Sequence, residues 1–92
     1  MMKCTLMYEF DSVIDRHTGE NKNVVGSRYT NPVDILMLMV GRSAIFQYVD
    51  ANAGFNTSAV ESILIHSNSI NIVTRNTEYW LKPHIRKEEV IQ

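Results

Sequence analysis

The side chains able to do chemistry are few, and their spacing argues against a conventional active site. Cys4 with His17, His66 and His84 would supply a thiolate nucleophile and an imidazole base if the fold gathered them. Nothing in the spacing pairs them. Cys4 falls on the apolar side of an alternating segment, where a free cysteine packs as a small hydrophobe, and the histidines are scattered over turns and segment ends. Glu9 and Asp11 stand two apart on one predicted strand with Asp15 close by, an arrangement that can hold a divalent cation. With no third acid or lysine at a recognisable spacing, a solvated strand edge accounts for the same residues. Glycine-rich phosphate loops, Cys-x-x-Cys pairs and His-Glu-x-x-His are all absent from the sequence. The chain reads as non-enzymatic, without metal or cofactor.

A second constellation is basic and aromatic. Arg28-Tyr29, Arg75, Lys82 and Arg86-Lys87, with Tyr79-Trp80, would give phosphate contacts and a stacking platform for a nucleic acid on one sheet face. Glu78, Glu88 and Glu89 are interleaved with them and weaken any positive field. The adjacent rings of Tyr79 and Trp80 point to opposite sides of a strand, so one of them faces outward, as interface hot spots do.

These residues need elements to place them. Cys4, Leu6, Tyr8 and Phe10 alternate with Thr5, Met7 and Glu9, the period of a strand with one buried face. Asp15 to Asn21 concentrates turn formers, and 23–29 reads as the return strand of an N-terminal β-hairpin. Asn31 as N-cap, Pro32 at the first helical position, Asp34 in the first turn and Gly41 past the end predict a short helix over 32–40. Ile35-Leu36-Met37-Leu38-Met39-Val40 has no polar face, so the same residues also fit a strand. An antiparallel meander follows: 44–49, a polar loop over 50–58, 60–66, 69–75 and 78–82. Pro83 ends the last strand. The reading is α+β, with an all-β fold as the alternative if 35–40 is a strand, in a single domain over 1–83 with a charged C-terminal tail over 84–92.

Ninety-two residues with 45% hydrophobic and 21% charged side chains suit one globular domain, and nine basic against ten acidic residues single out no charged partner. One cysteine excludes an internal disulfide, and no run approaches the roughly 20 apolar residues of a membrane-spanning helix, so the expected setting is cytoplasmic. The distribution of charge is less ordinary. Of nineteen charged residues only Arg42, Asp50 and Glu61 fall within 35–74. An apolar middle of that length in a small domain points to a second chain covering part of it. The expectation is therefore a protein-protein interaction module that self-associates as a homo-oligomer and binds another protein, through Met37, Met39, Phe46, Tyr48 and Trp80. A small regulator or inhibitor of a host enzyme, of the kind a phage or other mobile element carries, would have the same sequence features. Nucleic-acid binding is the third reading.

Overall fold

The computed structural model describes the backbone of residues 2–89 and the side chains of residues 6–85. The chain forms β1 (Met2–Asp15), a 3-10 turn (Arg28–Thr30), β2 (Val33–Met37), β3 (Ser43–Tyr48), β4 (Gly54–Ile65), β5 (Ile70–Thr74) and β6 (Thr77–Glu89). Each strand pairs antiparallel with the next, and β6 returns to β1, closing a six-stranded barrel. The meander is as the sequence reading has it, but the α+β label is not. Among the described residues the 3-10 turn is the single helical element, and the fold is all-β.

The helix expected over 32–40 is β2 and the turn after it. Its burial alternates, with Val33 wholly buried, Asp34 exposed, Ile35 half-buried and Leu36 exposed. Each helix signal serves another purpose here. The Asn31 side chain turns back to donate to the Arg28 carbonyl at 3.2 Å, and the Pro32 carbonyl accepts from the Val49 N–H at 3.1 Å. Gly41 takes a positive φ of 92° in the β2–β3 turn rather than at a helix end.

The return strand expected over 23–29 is also replaced. Side-chain amides do what a neighbouring strand would do. Asn21 Oδ1 accepts from the Val13 N–H at 3.1 Å, Asn23 Nδ2 donates to the Phe10 carbonyl at 2.8 Å, and the Lys22 N–H reaches the Val13 carbonyl at 2.7 Å. This frees the segment from strand geometry. The chain then turns through Arg28–Thr30 and places Tyr29, 8% exposed, against the core.

β4 bends across the barrel. Its first half pairs with β3 and its second half with β5, with a register shift between Val60 and Ser62. The interior is aromatic: Phe10, Phe46, Phe55, Tyr29 and Tyr79 lie with ring centroids 5.3–6.5 Å apart, several of them edge to face. Val13, Val33, Ala44, Val60, Ile72 and Leu81 fill the remaining space.

Burial pushes the Tyr79 phenol up to about 12, with Tyr29 adding to the effect. An acid whose pKa is raised in the folded state contributes stability that is complete below its unfolded value, about 10, and is lost as pH rises through the folded one. Unfolding monitored between pH 10 and 12 should therefore show a loss of roughly 2–3 kcal/mol. In Tyr79→Phe that step should disappear. An unchanged alkaline profile would mean that the ring is hydrated.

Pairing between β1 and β6 runs far beyond the barrel. Residues 2–9 of β1 oppose residues 82–89 of β6, whereas β5 pairs with β6 no further than Leu81 and β2 meets β1 only at Tyr8–Val33. Beyond Tyr8, residues 2–7 and 84–89 form a two-stranded ribbon, at ~3.4 Å per residue about 20 Å long, on a molecule 50 Å long and 27 × 26 Å across. Strand β6 thus continues through the region read as a charged tail. Pro83 does not stop it, because proline is tolerated at a sheet edge where its nitrogen meets no partner. Residues 90–92 lie outside the described part.

Candidate functional site

The ribbon inherits its faces from the barrel. Ile65, Ile70, Leu81 and Phe10 form one row across four strands, and Leu81 and Phe10 are buried. Two residues further out, the same side of the ribbon carries the pair Tyr8–Pro83, then Leu6–Ile85. Tyr8 still packs on the core. Leu6 and Ile85 are 54% and 57% exposed, and Ile65, at the other end of the barrel row, is 77% exposed. A face that fills the core in the barrel therefore emerges uncovered where the other strands stop.

The opposite face of the sheet carries Leu64, Asn71 and Trp80 in one row. Trp80 is half-buried, its indole N–H donates to Glu78 Oε1 at 3.0 Å, and the His66 ring stacks on it at 5.8 Å. Tyr79, the neighbouring ring, points inward and is 4% exposed, as strand alternation requires.

The other residues proposed for an interface do not form one patch. Phe46 is wholly buried at the centre of the aromatic cluster and is unavailable to a partner. Tyr48 is half-buried against Phe55, with ring centroids 6.0 Å apart, and walls a cleft of about 290 Å³ with Asn31, Pro32, Ala51 and Ala53. Met37 is half-buried beside Ile45, and Met39 is exposed in the β2–β3 turn with Val40. A second groove of about 320 Å³ lies on the outer side of β2, β3 and β4, between Leu36, Ile45, Gln47 and Asn56.

The basic and aromatic set is also dispersed. Tyr29 is inside, so its ring offers no stacking platform. Arg75 sits in the β5–β6 turn and Lys82 near the middle of β6, seven residues further along the chain. Arg28 is exposed, and its guanidinium lies 5.0 Å from the Tyr29 ring centroid and 4.8 Å from that of Phe55. Its Nη2 donates to Tyr29 Oη at 2.9 Å, a bond that raises the Arg28 pKa further. No Asp or Glu lies within ion-pair distance of it among the described residues. The side chains of Arg86, Lys87 and Cys4 lie outside the described part.

The acidic triplet does not converge. A register shift between Phe10 and Ser12 makes Asp11 the extra residue of a bulge, so Glu9 and Asp11 no longer follow simple alternation. Glu9 instead pairs with His84 at 3.4 Å. Asp15 accepts from the backbone N–H groups of His17 and Thr18 and pairs with Lys22 at 3.2 Å, which holds its carboxyl below the usual range. Among the described residues no three His, Cys, Asp or Glu side chains gather as a metal site. Among the described residues no helix is long and apolar enough to cross a membrane.

Sequence reasoning missed Leu6 and Ile65 because each falls in a strand pattern that normally marks a buried position, and Ile85 because it lies in the stretch read as a charged tail. The signal that exposes them is length: fourteen-residue β1 and thirteen-residue β6 are far longer than β2 or β5, with five residues each, and cannot be covered along their whole extent. Compared with protein-family models, with curated proteins and with solved structures, the chain matches none of them.

Proposed function

We propose that this protein is a non-enzymatic protein-protein interaction module that self-associates, with the ribbon rather than the centre of the chain as its contact. The observation that carries this reading is the core-facing side of the ribbon emerging uncovered at Leu6 and Ile85. A two-stranded ribbon in water is marginal by itself; Met7, 2% exposed, packs one face at its base, and Leu6 and Ile85 leave the other face open. Its strand edges are also free to pair. A second copy related by a two-fold axis supplies both, because an isologous contact lays the same apolar face and the same edge against themselves.

Light scattering after size exclusion should show a dimer or higher oligomer at micromolar concentration. Leu6→Glu and Ile85→Glu should each shift the chain to monomer while leaving its circular dichroism unchanged, since both side chains are more than half exposed. Met39→Glu, in the β2–β3 turn, should leave the oligomer intact. A wild-type chain that stays monomeric up to a hundred micromolar or so would sink the proposal. Dissociation by Met39→Glu alone would move the contact back to the apolar middle.

A further inference from the structure

We propose that Arg28 anchors a carboxylate-binding site, taking an Asp or Glu side chain or a C-terminal carboxylate from a partner protein. This builds on the reading of the domain as an interaction module but uses a different side chain from the ribbon contact. The guanidinium is held before any ligand arrives. Its Cζ lies 5.0 Å from the Tyr29 ring centroid and 4.8 Å from that of Phe55, and Tyr29 Oη accepts one of its N–H groups. Of the five N–H groups of a guanidinium the phenol takes one, and the others belong to the planar fork that a carboxylate matches. A flexible arginine loses rotamer entropy on binding, but here much of that loss is already part of the fold.

Arg16 is paired with Glu61 at 2.6 Å and Lys22 with Asp15, whereas among the described residues Arg28 meets a phenol and two aromatic rings and no carboxylate within ion-pair distance. A planar monoanion matches a single fork through two parallel hydrogen bonds. A phosphate dianion calls for a second cation, and among the described residues no other cation stacks on these rings.

The test is a nuclear magnetic resonance titration of the full chain, following arginine Nε–Hε signals in sodium acetate against sodium chloride at matched ionic strength. Acetate should shift the Arg28 signal saturably, together with Tyr29 and Phe55, and chloride should not. Arg28→Lys keeps the charge but loses the fork, and should weaken acetate binding about tenfold or more. Equal shifts in acetate and chloride would overturn the proposal. So would an unchanged affinity in Arg28→Lys, or inorganic phosphate binding more than tenfold tighter than acetate. Repeating the titration on Ile85→Glu separates the two proposals: the acetate response should persist whether or not that variant still associates.

Discussion

Phe46→Ala should severely destabilise the fold rather than weaken association. The ring is wholly buried and lies 5.3 Å from Phe10, 5.3 Å from Phe55 and 5.9 Å from Tyr79, centroid to centroid. Truncating such a ring costs about 3–5 kcal/mol, counting lost transfer energy and the cavity left behind. A domain of this size has about 5–14 kcal/mol in total, at roughly 0.05–0.15 kcal/mol per residue. The urea midpoint, read from the fluorescence of the single tryptophan, should fall by about 2 M or more at an m-value of roughly 1–2 kcal/mol/M. Phe46→Leu keeps most of the volume and should lose much less. A stable, monomeric Phe46→Ala would instead mean that the ring serves an interface.

That experiment also bears on what the sequence could and could not reveal. Phe46 and Trp80 look alike as candidate anchors, since both are aromatic residues on predicted strands. The distinction depends on which side of the barrel each strand turns inward, and this is fixed by register with neighbours far along the chain. Phe46 opposes Ile35 on β2 and Phe55 on β4, so all three side chains turn inward together. Phe55 itself reads from the sequence as part of a polar loop, because the small residues around it have the composition of a turn. The strand begins at Gly54 and brings the ring into the core.

The helix over 32–40 failed for a related reason. Helix capping and strand entry draw on the same residue types, and Ile35 to Val40 carries apolar residues on both sides of the alternation. The polar member that would have revealed period two is present only at Asp34. Closure decides between them, because β1 and β3 would lack a connecting strand if Val33–Met37 were helical. The later strands were legible because Asn, Ser and Arg turns separate them. The ribbon was not, since it is formed by residues more than seventy positions apart and interrupted by a proline.

Gly54→Ala should be the second most damaging change, and its comparison with Gly41→Ala tests the barrel itself. A Cβ on Gly54 would stand 2.1 Å from the Phe46 carbonyl oxygen and 3.0 Å from the Gln47 Cα, so backbone rather than a flexible side chain would have to yield. Moving β3 away from β4 disturbs the pairs Phe46–Phe55 and Gln47–Gly54 together. A loss of about 3 kcal/mol or more is expected, at the upper end of what overpacking costs. Gly41 presents the opposite case. Its φ of 92° disfavours any side chain, yet a Cβ there meets no atom within 4 Å. Gly41→Ala should cost only about 1–2 kcal/mol, the penalty of a left-handed conformation. Urea denaturation of both variants decides the matter. If Gly41→Ala proves the worse of the two, β4 does not approach β3 as closely as the barrel requires, and the position of Phe46 at its centre would fall with it.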